Sequence, residues 1–207
     1  DILNDIQKVG LKYYDDINER IPRSEIDYFY KKLTTIFEKM ASPGSRFNIF
    51  GSYRRGLLYS WDIDVIITND NDNNSIFNIA IDWLIKDGTI VEVLSRGRVK
   101  SLVIANIYPD KKDSNNPMRR VDFLYAPPGE YAFAVLYFTG SKTFNTLMRQ
   151  RAVSLGYTLN EHGISTMKKG VKGGKIEQDF PDEKSIFDFL DMKYKKPEDR
   201  IDGRSIK

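Results

Sequence analysis

The run Ile63-Asp64-Val65-Ile66-Ile67-Thr68 constrains this chain most. A nearly continuous apolar run of strand length reads as a buried strand, so the chain must build a sheet around it. The run opens on acid, Trp61-Asp62-Ile63-Asp64. Alternate side chains of a strand share a face, so Asp62 and Asp64 point the same way about 7 Å apart. Two carboxylates at one strand end, flanked by apolar residues, repel each other and call for a cation. The chain has no Cys and a single His162. That excludes disulfides, thiolate catalysis, Cys-ligated zinc or iron-sulfur centres and multi-His sites. Oxygen ligands alone suit Mg²⁺ or Mn²⁺.

Around this strand the pattern is mixed. Ser24 to Met40 repeats apolar residues at Ile26, Phe29, Leu33, Ile36, Phe37 and Met40, an amphipathic helix with Ser24 and Asp27 in a capping-box-like arrangement. Phe47 to Phe50 reads as a short strand, and Ser75 as the cap of a helix reaching Lys86. Thr89 to Leu94, Val99 to Ile107 and Arg120 to Tyr125 read as strands, giving a mixed sheet with helices on one side. Pro127-Pro128-Gly129 marks a joint. Beyond it come helical segments near Glu130 to Tyr137 and Ser141 to Leu155, an extended piece from Gly156, and a helix from about Asp182 to Asp191. Lys168 to Lys175 is rich in Gly and Lys but lacks the Gly-Lys-Ser/Thr ending of a phosphate-binding P-loop; a mobile loop is expected there. The fold class is α+β.

Upstream of the acidic strand lies Phe50-Gly51-Ser52-Tyr53-Arg54-Arg55-Gly56. Gly51 lets backbone approach a ligand closely, Ser52 can donate from its hydroxyl, and a turn into a short helix aims free N–H groups at an anion. Arg55 can clamp a phosphate bidentately. Phosphate donors facing metal-binding carboxylates are what in-line phosphoryl or nucleotidyl transfer requires. A third acid, Asp122, lies in Arg119-Arg120-Val121-Asp122-Phe123-Leu124, within another strand. A buried unpaired Asp is costly, so it should find a metal or an Arg. The net charge of +3 hides basic stretches: residues 90 to 120 hold seven Lys and Arg against three acids, and 141 to 174 six against one. Read singly each is a solvated face; together, flanking acidic chemistry, they favour a polyanion partner.

Gly51-Ser52 with Asp62-Ile63-Asp64 resembles the nucleotidyltransferase signature. Further matching stretches narrow the resemblance to the family X DNA polymerases: Gly10-Leu11-Lys12-Tyr13-Tyr14 through Arg20-Ile21-Pro22-Arg23, Leu94-Ser95-Arg96-Gly97, Arg119-Arg120-Val121-Asp122, Leu136-Tyr137-Phe138-Thr139-Gly140-Ser141, Phe144-Asn145, Met148-Arg149, and Gly156-Tyr157-Thr158-Leu159-Asn160-Glu161. Ile186-Phe187-Asp188, Tyr194, Pro197 and Arg200 complete a set that runs in family order over nearly the whole chain.

The resemblance implies a nucleotidyltransferase palm, a mixed sheet with helices on one side, at 24–128. It further implies a helical remnant of a DNA-binding subdomain at 1–23 and a smaller α/β nucleotide-selecting subdomain at 129–207. It implies that Asp62, Asp64 and Asp122 are catalytic and bind two Mg²⁺, with Mn²⁺ able to substitute. Asp122 is also the expected general base, directly or through water. Gly51, Ser52 and Arg55 would hold the triphosphate of a dNTP, Tyr137, Phe138 and Gly140 would exclude a 2′-hydroxyl, and Asn145 would probe the incoming nucleotide. Lys100, Arg120 and Arg149 would contact DNA. The implied activity is template-directed addition of dNMP to a primer 3′-hydroxyl with release of pyrophosphate, of the repair or gap-filling type, on primer-template or gapped DNA. A template-independent transferase, or a non-catalytic DNA-end-binding module, is the alternative; the short loop between Lys100 and Arg119 favours templated synthesis.

Three positions depart from the polymerase beta pattern. Trp61 stands where a small residue sits beside the triphosphate, Leu124 where an Arg competes for an active-site Asp, and Thr146 where a Lys flanks the template base. His162 is read as a satisfied structural residue rather than a proton donor.

At 207 residues, 41% of them hydrophobic, the chain can bury a sizeable core. It is nevertheless short for this family, and it starts on Asp1 rather than Met. Additional N-terminal domains are therefore expected in the full-length protein, and this piece should lack deoxyribose-phosphate lyase chemistry. No apolar run approaches the roughly 20 residues of a membrane span and the start has no signal-peptide pattern. A monomer away from membranes is expected, in the nucleus or the cytoplasm, a viral factory included, and not secreted.

Overall fold

A computed structural model describes residues 2–40, 42–111 and 115–201. Parts of the expected loop between Lys100 and Arg119 and of the 129–207 subdomain, residues 112–114 and 202–207, lie outside the described residues. The chain divides into two units, one of 1–49 with 57–125, the other of 50–56 with 126–207. The segment Phe50–Gly56 thus groups with the carboxy-terminal residues rather than with the sequence that surrounds it.

The first unit begins with α1 (Asp5–Lys12) and the single turn α2 (Tyr14–Ile17). Asn4 and Gln7 close a reciprocal capping box at α1, each accepting the other's backbone N–H (2.8 and 2.9 Å). The two-residue strand β1 (Ile21–Pro22) leads into α3 (Arg23–Met40). That helix starts one residue earlier than Ser24 suggests, because the Arg23 amide is already satisfied by the Leu58 carbonyl (2.9 Å). Strand β2 (Ser45–Ile49) follows, then the short α4 (Gly51–Arg54) of the second unit. The chain returns through β3 (Tyr59–Ser60) to β4 (Ile63–Asn69), α5 (Ser75–Lys86), β5 (Ile90–Arg96), β6 (Lys100–Ala105) and β7 (Arg119–Tyr125). At the start of α5 the cap acceptor is Asn73, whose Oδ1 takes both the amide (3.1 Å) and the hydroxyl (2.7 Å) of Ser75.

The sheet order is β2-β4-β7-β6-β5, with β4 and β7 parallel and the other neighbours antiparallel. The expected mixed α+β sheet is therefore present, and the acidic run forms one of its inner strands. Ile63, Val65, Ile67, Val121, Phe123 and Val103 alternate onto one face, all within 1% exposure, as are Ile26, Phe29 and Leu33 of α3 and Phe77, Ala80, Ile81 and Leu84 of α5. Each such side chain larger than Ala80 stabilises the fold by about 1.5–3 kcal/mol relative to an exposed one.

The second unit contains α4, α6 (Tyr131–Thr139), α7 (Lys142–Ser154), the antiparallel sheet β8 (Tyr157–Asn160), β9 (Gly163–Lys168) and β10 (Val171–Lys175), and α8 (Glu183–Phe189). Ser141 caps α7 by accepting from the Phe144 amide (3.2 Å), and Asp182 caps α8 by accepting from Ser185 (2.8 Å). Its core gathers Phe133, Leu136, Phe144, Met148, Ile164, Ile186 and Phe187.

Lys168 to Lys175 is not the mobile loop expected from its composition. It is a hairpin in which Val171 pairs with Lys168 across the two residues Lys169 and Gly170, both at positive φ (50° and 76°). Two left-handed residues match the twist of the flanking strands. An exposed lysine-rich strand carries no apolar alternation by which a sequence reveals it.

Candidate active site

The acidic residues come together through strand register. In the parallel pair β4 and β7, Asp64 lies opposite Asp122, Ile63 opposite Val121 and Val65 opposite Phe123. Neighbouring strands are about 4.8 Å apart, so two carboxylates share one sheet face side by side, with Asp62 two residues ahead of Asp64. The flanking Ile63, Val65, Val121 and Phe123 are buried on the opposite face and hold both strands in place. Burial pushes the Asp64 carboxyl up to about 7, helped by the negative charges of Asp62 and Asp122 and opposed by Arg120 and Lys100. Asp62 is raised as well, chiefly by burial and then by Asp122. The cause is the one that drives apart the pKa values of paired carboxylates, like charges in a poorly solvated site.

Arg120 lies two residues before Asp122 on the same face of β7 and donates to it from Nε and Nη2 (3.3 and 3.4 Å). Lys100 is at the start of β6, opposite Leu124. Among the described residues no three His, Cys, Asp or Glu side chains close around a common point; the Asp122 oxygens are turned to Arg120. Even so, the donor set fits a divalent cation held by oxygen. Asp62, Asp64 and Asp122 crowd together, with proton affinity raised at Asp62 and Asp64, and a positive ion would relieve that repulsion.

The residues expected around the nucleotide lie in the second unit. Gly51, at φ 65°, opens α4. Ser52 follows within the turn, and Arg55 ends it, donating from Nη1 to the Thr139 carbonyl (2.7 Å), while burial lowers its guanidinium pKa. Tyr137 and Phe138 are half-buried at the end of α6 and meet edge to face at 4.9 Å. Gly140 sits at φ 65°, ψ −154°, a region open essentially to glycine, and a Cβ there would lie 3.2 Å from Arg55 Nη1. Asn145 donates from Nδ2 to the Tyr137 carbonyl (2.7 Å), and the Arg149 guanidinium lies 5.0 Å from the Tyr137 ring centroid. Tyr137, Asn145 and Arg149 line one shallow crevice with Met148 and Leu159. His162 is exposed and bonded through Nδ1 to Glu130 (3.1 Å).

A charge relay that local sequence does not disclose ties these parts together. Arg54 donates from Nη1 to Thr139 Oγ1 (2.7 Å) and from Nη2 to Glu183 (2.6 Å), and the buried Glu183 also pairs with the fully buried Arg200. Arg200 lies among the rings of Phe144, Phe187 and Tyr194, and its carbonyl accepts from the Ser141 amide (3.2 Å). The turn at Arg54 and the Thr139-Gly140-Ser141 corner are thus fixed by the same two arginines and one glutamate.

Comparison with known proteins gives two family matches, DNA polymerase beta palm over residues 20–128 and DNA polymerase beta thumb over residues 134–201. The chain belongs to the DNA polymerase beta family, family X. Within that family, DNA polymerase lambda of Rattus norvegicus is 32% identical over 205 residues, covering 94% of this chain and 35% of that protein. DNA polymerase lambda of Arabidopsis thaliana is 30% identical over 217 residues, covering 97% of this chain and 40% of that protein. The family X chain described here therefore spans well under half the length of these curated relatives. None of the helices among its described residues is long and apolar enough to cross a membrane.

Proposed function

We propose that this chain is the catalytic palm (24–128) and nucleotide-selecting subdomain (129–207) of a template-directed DNA polymerase of the gap-filling type. It would add dNMP from a dNTP to a primer 3′-hydroxyl and release pyrophosphate. The supporting observation is the in-register pair Asp64 and Asp122, with Asp62 beside them and the Asp62 and Asp64 carboxyls raised by burial and then by neighbouring negative charge, in a family X polymerase chain.

In this reading Asp62, Asp64 and Asp122 hold two Mg²⁺, or Mn²⁺ in their place. Divalent ions bound there supply Lewis-acid charge to the attacking hydroxyl and the triphosphate. Asp122 accepts the proton of the primer hydroxyl, directly or through water. Arg120, which pairs with Asp122, and Lys100 bind primer phosphates, contacts that position DNA without reading its sequence. Ser52 and Arg55 hold the β- and γ-phosphates, with the Gly51 backbone close to them. Tyr137, Phe138 and Gly140 crowd the 2′ position of the sugar. Asn145 and Arg149, one turn apart on α7, probe the minor-groove edges of the new pair, which present nearly the same acceptors for every correct pair. The protein acts as a monomer on gapped or primer-template DNA inside the cell, in nucleus or cytoplasm.

Single-nucleotide gap filling on a templated duplex with Mg²⁺ tests this. The chain should extend the primer with the complementary dNMP, and Asp122→Ala should abolish extension while leaving the fold intact. Robust tailing of single-stranded DNA without a template, or full activity of Asp122→Ala, would overturn the reading.

A further inference from the structure

The small ladder of β1 and β3 has one buried and one open side. Ile21 and Ser60 pair and are buried, whereas the adjacent pair, Pro22 and Tyr59, points the other way. By the same two-residue period Arg20 and Trp61 extend the open side, and the Arg20 guanidinium lies 5.3 Å from the Trp61 ring centroid. Trp61 is 59% exposed and Tyr59 52%, and the exposed Leu57 and Leu58 precede them. The patch ends where Asp62 begins.

A connection that only had to turn the chain would be made of small polar residues. Large apolar side chains gathered on the surface mark a binding site. This one is also held firmly. The buried Arg119 donates from Nε and Nη2 to Glu25 (3.1 and 2.7 Å) and from Nη1 to the carbonyls of Glu19 and Arg20 (3.5 and 3.4 Å). On the other strand, Arg23 donates from its amide to Leu58 (2.9 Å) and from Nη1 to Leu57 (3.3 Å). The segment that presents the aromatic rings and the one that presents Arg20 are therefore both pinned before any ligand arrives.

Flat π-faces backed by a guanidinium match one chemistry above others. An indole offers a phosphate only its single N–H, but it offers an unpaired base a whole face, and a nearby arginine complements the phosphate that travels with that base. We infer that Trp61 and Tyr59, braced by Arg20, form a stacking site for an unpaired nucleobase of single-stranded DNA next to the acidic strand. The inference rests on the proposal that the chain acts on DNA.

The chain has two tryptophans, Trp61 and Trp83. Trp83 lies on the outer side of α5, so Trp83→Phe leaves Trp61 as the sole indole reporter. Oligothymidylate should quench its fluorescence, and an abasic strand of the same length and charge should not. In the otherwise native chain, Trp61→Ala should weaken oligothymidylate binding by about 5- to 100-fold, the value of one lost base stack, and Trp61→Phe should keep most of it. Equal quenching by the abasic strand, quenching by tripolyphosphate alone, or unchanged affinity of Trp61→Ala would overturn the inference. A gap-filling chain whose Trp61 ignores oligothymidylate loses the stacking site alone; quenching without gap filling loses the polymerase reading alone.

Discussion

Removing the carboxylate of Glu183 should be among the most damaging single changes in the second unit. Glu183 is 7% exposed and accepts from Arg54 and Arg200, of which Arg200 is fully buried. Among the described residues the Arg200 Nη2 has no partner, and the guanidinium has only the Lys195 carbonyl (3.0 Å, from Nε) as a further hydrogen bond. The three surrounding aromatic rings lie 5.4 to 5.7 Å from its guanidinium carbon, and such contacts offset a small part of a buried charge. Glu183→Ala leaves two cations with no anion, and breaking a buried pair from one side costs about 3–5 kcal/mol. That is a large share of the roughly 5–15 kcal/mol that keeps a domain folded. Both tryptophans belong to the first unit, so indole fluorescence is the wrong probe. Urea unfolding should be followed by far-ultraviolet circular dichroism and by amide exchange of β8 and β9. Replacing Glu183 and its fully buried partner by apolar residues, Glu183→Leu with Arg200→Met, should cost less than Glu183→Leu alone, because only the partly exposed Arg54 is then left without its anion. A loss below about 1 kcal/mol for Glu183→Ala, or a double variant as unstable as the two singles added, would refute the argument.

The raised carboxyls give the metal-free protein a pH dependence of unusual sign. Asp64 keeps its proton to about pH 7 in the fold but loses it near pH 4 when unfolded. Its contribution is therefore complete below about pH 4 and lost as pH rises towards 7, of the order of 2–4 kcal/mol. Urea titrations in EDTA across that range should show the loss, and Asp64→Asn should remove it; a flat profile in the native chain would disprove it. Proton and cation compete for the same oxygens, so Mg²⁺ binding by calorimetry should tighten as pH rises from 6 to 8. Gly140→Ala should cost about 1–3 kcal/mol through its backbone region alone. By displacing Arg55 Nη1 it should also raise KM for dNTP more than it lowers kcat.

How much of this was legible in the sequence depends on how far each residue's partner lies along the chain. The strand at Ile63, its paired acids, and the helices Arg23–Met40 and Ser75–Lys86 follow from apolar periodicity, which is a local property, and the family X motifs are local too. The lysine-rich hairpin escaped because an exposed strand has no apolar side to betray it, and its two-residue turn depends on backbone dihedrals that Lys169 does not advertise.

By itself the sequence determined that a metal would have to be held mainly by carboxylates, and that Asp62 and Asp64 lie together at one strand end. Only the tertiary structure decided that Asp122 stands opposite Asp64, since parallel pairing of strands 58 residues apart is a matter of register. It alone also tied Arg54 to Glu183, 129 residues away, and backed Trp61 with Arg20. Such contacts depend on chain closure over long loops, and no local pattern of residue types encodes which distant charge will be waiting there.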